Sequence, residues 1–136
     1  MDILNLINRN ITESLNNSKH IAIVGLSNKP NRISYGVGSY LLQAGFNILP
    51  VNPNYDSILG LKCYPNLTEI PHSIDIVNIF RRSENVPSIV DEAISIKPKV
   101  IWIQLGIINE LAVKLAIDSG LHVVMNRCIK IEPMLL

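Results

Sequence analysis

The residues best suited to chemistry in this sequence lie in one segment, residues 25–34, which reads GLSNKPNRIS. The segment follows a short apolar run and leads into a helical pattern, for which Ser34 is a plausible N-cap. Free amide groups and the helix dipole make the start of such a helix attractive to anions. Two cations and two hydroxyl groups are added by Lys29, Arg32, Ser27 and Ser34. The segment therefore predicts a site for a phosphate-bearing ligand such as a nucleotide diphosphate.

The same segment departs from the usual dinucleotide fingerprint. A Gly-x-Gly-x-x-Gly spacing requires glycines at positions 27 and 30, where Ser27 and Pro30 stand. The next apolar run ends in Asn52 and Pro53, where the ribose of NAD prefers a carboxylate. These departures favour a nucleotide other than NAD, and the two cations suit a ligand with an additional phosphate near its ribose. An oxidoreductase-like protein that binds NAD(P) is the alternative.

Five apolar runs rich in β-branched residues alternate with helical patterns, and the runs occupy residues 20–25, 47–53, 74–80, 100–106 and 121–126. Helices are predicted over residues 34–44, 84–97 and 109–119, and an initial helix over residues 3–15. The connection over residues 54–73 is irregular, with a turn of helix at residues 67–70. The alternation predicts an α/β fold, Rossmann-like and doubly wound, with about five parallel strands in the order 3-2-1-4-5.

Ligands of such sheets lie outside the carboxyl ends of the strands, at the point where the strand order reverses. This rule selects the loops after the first and fourth strands and the ends of the other three. The fourth strand ends in Gln104 and Gly106, and Asn126 and Cys128 follow the fifth strand. We expect these residues to border the ligand.

Length and composition limit the class of protein. The chain has 136 residues, which is typical of a single domain, and we assign residues 1–136 to one domain with a helix in residues 1–18. Its net charge of +1 favours neither nucleic acid nor an acidic membrane surface as a partner. The mean hydropathy is high, at +0.28, but glycines and prolines interrupt the longest uncharged run, so no membrane span is expected. Two cysteines suit a cytoplasmic protein.

Several motifs together resemble a known family. They are GLSNKPNRISYGV at residues 25–37, PVNP at 50–53, VNIFRR at 77–82, QLG at 104–106 and MNRCIKIE at 125–132. They resemble the small stand-alone CoA-binding proteins, whose domain is similar to the nucleotide-binding N-terminal domain of the succinyl-CoA synthetase α subunit. The resemblance extends over about residues 3–132 and implies coenzyme A, or an acyl-CoA, as the ligand.

The resemblance also implies site residues. The first loop would hold the phosphates through Gly25, Leu26, Ser27, Lys29, Arg32, Ser34 and Tyr35. The end of the second strand would face adenine and ribose through Val51, Asn52 and Pro53, with Phe80 and Arg81 of the third strand nearby. The strand-end residues already selected from the fold, Gln104, Gly106, Asn126 and Cys128, complete the set of candidate ligand-binding residues. The ribose phosphate of CoA would be a natural partner for Lys29 or Arg32.

The role of Cys128 has two interpretations. Its thiol could lie near the pantetheine, where Arg127 and Lys130 would stabilise a thiolate, or it could be a small buried apolar residue. No metal site and no catalytic residues are predicted. We expect binding without catalysis, although an accessory subunit acting in trans with an acyl-CoA ligase or acetyltransferase is an alternative. A homodimer is also compatible with the composition.

Overall fold

A computed structural model describes residues 2–134. Its strands are β1 (His20–Val24), β2 (Asn47–Val51), β3 (Ser57–Ile58), β4 (Leu61–Lys62), β5 (Ile76–Ile79), β6 (Val100–Gln104) and β7 (His122–Arg127). Its α-helices are α1 (Ile11–Asn16), α2 (Ile33–Gln43), α3 (Val86–Ile96), α4 (Glu110–Asp118) and α5 (Ile131–Met134). Five parallel strands form the main sheet, and helices cover both of its faces. The predicted α/β, Rossmann-like fold is confirmed.

The predicted strand order is wrong. The sheet has the order β2-β1-β5-β6-β7, which is 2-1-3-4-5 when the five parallel strands are numbered along the chain. Pro50 gives the physical reason, because proline has no amide hydrogen and is confined to edge strands within sheets. Its carbonyl faces away from β1 and accepts a hydrogen bond from the Tyr64 amide at 2.9 Å. A strand with Pro50 in its middle therefore belongs at an edge and not between two others.

Asp75 fastens the start of β5 to the start of β1. Its carboxylate accepts hydrogen bonds from the Lys19 and His20 amides at 2.8 and 2.9 Å and lies 3.2 Å from the Lys99 ammonium. Burial alone would raise the pKa of Asp75, but the two amides and Lys99 outweigh it and hold the pKa below its usual range. The contacts stabilise β5 beside β1, and the crevice between the ends of these two strands becomes the switch point.

The irregular connection contains a small hairpin that the sequence analysis did not predict. Strands β3 and β4 pair in an antiparallel manner, and the turn between them has Leu59 and Gly60 at φ values of 57° and 74°. A 3-10 turn, Leu67–Glu69, follows where a turn of helix was predicted.

The N-terminal segment is divided rather than being one helix over residues 3–15. A 3-10 turn, Ile3–Leu6, precedes α1, and Asn8 and Asn10 lie between them with φ values of 57° and 54°. Asparagine tolerates this left-handed conformation, which ends a helix. Asn8 contacts the outer edge of β7, since its amide donates to the Val123 carbonyl at 2.9 Å.

The core consists of two apolar layers, one on each face of the sheet. Ile21, Ile23 and Trp102 share a layer with apolar residues of α1 and α2, while Val77 and Ile79 share a layer with those of α3 and α4. Burial on both faces explains the continuous apolar runs and the high mean hydropathy. Within residues 2–134, none of the helices combines the length and the apolar character that crossing a membrane requires.

Candidate functional site

The ends of three strands meet at Gly25. Its amide donates to the Val51 carbonyl of β2 at 2.9 Å, and the Phe80 amide after β5 donates to the Val24 carbonyl of β1 at 2.8 Å. Gly25 has a φ of +88°, and a Cβ at this position would lie only 2.1 Å from the Phe80 carbonyl oxygen. Only glycine fits here, so the chain can leave β1 while the β5 end remains in contact with it.

The helix α2 begins without a side-chain cap. Its N-cap residue is Arg32, which makes no capping hydrogen bond, so the prediction that Ser34 is the N-cap is wrong. The Ser34 hydroxyl lies in the first turn and accepts from the Ser27 amide at 3.0 Å, while the Ser27 hydroxyl accepts from the Lys29 amide at 3.1 Å. The amides of residues 33–35 find no acceptor within residues 2–134. Two hydroxyl groups of the loop region thus bond to its own backbone, and the helix keeps amide donors free for an anion.

Asn52 supports this loop from below. It is buried, and its side-chain amide donates to the Leu26 carbonyl at 3.1 Å, while its side-chain oxygen accepts from the Asn54 amide at 3.0 Å. Leu26 is fully buried in the core. The structure therefore places Asn52 and Leu26 beneath the loop, where they fix its path.

A cavity of about 530 Å³ opens above the start of α2. Residues 25–34, from which phosphate binding is predicted, are called the phosphate loop below. The cavity is lined by five of the predicted residues of this loop, Gly25, Ser27, Lys29, Arg32 and Ser34, and by Phe80. It is also lined by three residues that the sequence analysis did not select, Asn31, Ile33 and Tyr55. Tyr35 does not line this cavity. Lys29 and Arg32 are exposed, and neither forms an ion pair within the described part of the chain. The cavity is therefore electropositive.

Two further cavities lie beside Arg81. One has a volume of about 140 Å³ and lies between the end of β2, the irregular connection and α3, with Val24, Val51, Pro53, Pro65, Asn66, Leu67, Arg81, Ile89 and Glu92 around it. The other has a volume of about 730 Å³ and is bordered by Phe80, Arg81, Arg82, Glu84, Asn85 and Ile107. Phe80 also lines the cavity above α2, so this side chain borders both cavities.

The polar residues at the ends of β6 and β7 bond within the protein. Gln104 is buried, and its side-chain oxygen accepts from the Asn78 side chain and from the Ile129 amide, both at 3.3 Å. The Asn126 side-chain oxygen accepts from the Gly106 amide at 2.8 Å. The structure places these residues where they join the end of β6 to β7 and to the chain that follows it, outside the three cavities described above.

Cys128 is half-buried and packs beside the core layer that faces α2. The cations expected to stabilise its thiolate point to other groups. The Arg127 guanidinium lies 3.6 Å from the Glu132 carboxylate, and the Lys130 ammonium lies 5.5 Å from the centre of the Tyr40 ring.

Cys63, after β4, is buried, and burial raises the pKa of its thiol. Across residues 2–134, His, Cys, Asp and Glu side chains form no group of three that could hold a metal ion.

The chain matches a family model, it is similar to proteins over most of their length, and it is similar to one segment of a longer enzyme. Residues 19–134 match the family model described as a CoA binding domain. The uncharacterized protein YneT of Bacillus subtilis is 45% identical over 121 residues, which are 89% of this chain and 90% of YneT. A solved structure, a hypothetical protein from Pyrococcus horikoshii OT3, superposes with a TM-score of 0.92 and 40% identity, covering 96% of this chain and 92% of that one.

The chain is also similar to one segment of a much longer enzyme. An ADP-forming acetate–CoA ligase, enzyme II of Archaeoglobus fulgidus, is 38% identical over 76 residues. These residues are 54% of this chain but only 11% of the ligase.

Proposed function

Because the chain belongs to the family of CoA binding domains, we propose that it binds coenzyme A, or an acyl-CoA, at the carboxyl edge of its sheet. We propose further that the protein is a binding or regulatory module and that no chemical step takes place at this site. The groups around the α2 cavity are cations, hydroxyls, an amide side chain and backbone amides, which bind and orient an anion.

The observation that carries this proposal is the uncapped start of α2 beneath two unpaired cations. The diphosphate of CoA would accept hydrogen bonds from the free amides of residues 33–35, and Lys29 and Arg32 would balance its charge. The internal bonds of Ser27 and Ser34 hold this arrangement before the ligand arrives. Such preorganisation reduces the entropy lost on binding.

The adenine would enter the small cavity at the end of β2. Val51, Pro53 and Pro65 give this cavity apolar walls, and its volume of about 140 Å³ suits a flat ring system better than a chain of phosphates. In this placement the adenosine lies over the β2 end and the diphosphate over α2. The remainder of the ligand would follow Phe80 into the larger cavity at the end of β5.

A ligand series tests the proposal. Thermal unfolding would be followed with CoA, acetyl-CoA, NAD and NADP at equal concentrations. A ligand at 100 times its dissociation constant adds about 2.7 kcal/mol of stability, so we expect a clear rise in Tm with CoA and a smaller rise with either nicotinamide nucleotide. The proposal would be refuted if NAD raised the Tm as much as CoA does. It would also be refuted if CoA caused no rise in Tm and calorimetry detected no binding of CoA.

A matched pair of double variants locates the diphosphate. Lys29→Met with Arg32→Met should weaken CoA binding at least tenfold, since two charge-assisted contacts are lost. The control, Arg9→Met with Lys19→Met, removes the same charge from two exposed side chains that precede β1. It should bind CoA about as well as the wild type. If both double variants bind CoA equally, the diphosphate is not at α2.

A further inference from the structure

Arg81 is a half-buried cation without a protein partner. It follows Phe80 at the end of β5, and within residues 2–134 its guanidinium makes no hydrogen bond and no ion pair. Arginine commonly buries its aliphatic stem and leaves its guanidinium in water. The N–H donors of Arg81 are therefore available to an anionic ligand.

The position of Arg81 is defined by its surroundings. Its Nε atom lies 3.3 Å from the point where a Cβ would stand on Gly25, so the guanidinium reaches the start of the phosphate loop. The same side chain lines the small cavity at the β2 end and the larger cavity at the β5 end. Glu92 also lines the small cavity, but its carboxylate accepts from the Leu67 amide and lies beyond ion-pair distance of Arg81.

We propose that Arg81 recognises the phosphate monoester on the ribose of the ligand and thereby selects CoA over nucleotides that lack this group. This inference rests on the proposed function, which places the diphosphate over α2 and the adenine in the small cavity. The ribose joins these two parts, so it must pass between Gly25 and the small cavity, where Arg81 lies. Lys29 and Arg32 are then left to the diphosphate, which differs from the sequence-based expectation that one of them binds the ribose phosphate.

The chemistry of the side chain suits this role. A guanidinium presents two parallel N–H donors that match two oxygens of a phosphate, whereas an ammonium binds as a point charge. Arg82, the next residue, is exposed and lines only the larger cavity, so it has the same charge but not the same position. Arg82 therefore serves as the matched control for Arg81 in binding measurements.

The experiment measures dissociation constants of CoA and dephospho-CoA by calorimetry with the wild type, Arg81→Met and Arg82→Met. We expect the wild type to bind CoA about 10- to 100-fold more tightly than dephospho-CoA, as for a charge-assisted bidentate contact. Arg81→Met should remove this preference while leaving the affinity for dephospho-CoA within about threefold. Arg82→Met should retain the preference. Arg81→Lys, which keeps the charge, should show an intermediate ratio and serves if the Met variant does not fold.

The outcomes separate the inference from the function on which it rests. A wild type that binds CoA and dephospho-CoA equally well overturns the role of Arg81 but leaves CoA binding intact. A preference that survives in both Arg81 variants and disappears in the Lys29 and Arg32 double variant overturns it in favour of the phosphate loop. A wild type that binds neither ligand refutes the proposed function itself.

Discussion

Replacing Gly25 by alanine tests the convergence of β1, β2 and β5 at a single backbone position. The new Cβ would lie 2.1 Å from the Phe80 carbonyl oxygen, far inside van der Waals contact, and 3.1 Å from the carbonyl carbon. Both atoms belong to the backbone, so no side-chain rotation relieves the overlap. Either β1 or the end of β5 must move, which strains the Phe80 to Val24 hydrogen bond.

Two costs set the size of the effect. A left-handed conformation costs a residue with a Cβ roughly 1–2 kcal/mol, and overpacking typically costs about 1–3 kcal/mol more. We therefore expect Gly25→Ala to lower the free energy of unfolding by about 2–5 kcal/mol. The matched control is Gly36→Ala in α2, where no atom other than those of its chain neighbours and the helix's own backbone lies within 4 Å of the added Cβ. An alanine in a helix is about 0.5–1 kcal/mol more stable than glycine, so this variant should be stabilised.

Urea unfolding of the free protein, followed by far-UV circular dichroism, measures both variants. The midpoint should fall for Gly25→Ala and rise slightly for Gly36→Ala, with unchanged slopes. If Gly25→Ala lies within 0.5 kcal/mol of the wild type (a threshold of about the size of an ordinary surface substitution), the described approach of Gly25 to Phe80 does not exist in solution.

The remaining predictions concern titratable groups. The lowered pKa of Asp75 means that its ionised form stabilises the fold above its unfolded pKa, and that this contribution is lost as the pH falls through the lower folded pKa. Asp75→Asn should therefore be less stable than the wild type by about 1–3 kcal/mol at pH 7, and its urea midpoint should fall less steeply than that of the wild type in acid. Parallel curves from pH 7 to pH 3 would contradict this reasoning. Iodoacetamide should modify Cys128 well before Cys63 in the folded protein, because Cys63 is buried and its raised pKa lowers its thiolate fraction. Mass spectrometry of digests measures the order, a urea-unfolded sample provides the control, and simultaneous labelling of the folded protein would show that Cys63 is accessible.

The sequence was sufficient for the positions of the parallel strands. A sheet that is buried on both faces produces apolar runs with little alternation, and these runs are visible without knowledge of their neighbours. The run over residues 100–106, for example, contains β6 at Val100–Gln104. Helix α4 was equally clear, because Asn109 caps it locally, accepting from the Ala112 amide at 2.9 Å.

Strand order was harder to predict, because it depends on contacts between distant segments. The hydrogen bonds from the amides of residues 19 and 20 to Asp75 join segments that are more than 50 residues apart in the chain, and no local sequence pattern indicates them. One local signal did exist, since Pro50 excludes β2 from the interior of a sheet. Asn8 and Asn10 carried a similar signal, because asparagine readily takes the left-handed conformation that interrupts the N-terminal helix.

In the candidate site, too, local features could be predicted from the sequence, whereas contacts between distant segments could not. The phosphate loop could be predicted because its amides, cations and hydroxyls lie within ten residues of one another. Tyr55 lines the same cavity from the connection after β2, which the tertiary bond from Asn52 to the Leu26 carbonyl holds against the loop. Gln104 stays a predicted ligand residue at the end of a strand, and the structure adds that its side-chain oxygen accepts hydrogen bonds from Asn78 and Ile129.

The two outer strands of the sheet have consequences for self-association. An open strand edge offers unpaired amides to a second chain, and a sheet this apolar would make such pairing hazardous. Here a single residue outside the sheet blocks each edge: Tyr64 bonds to β2 on both sides of Val51, and Asn8 bonds to β7 through its backbone and its side chain. Both are held by short irregular segments, so disrupting either segment would expose unpaired backbone groups of an outer strand to a second chain.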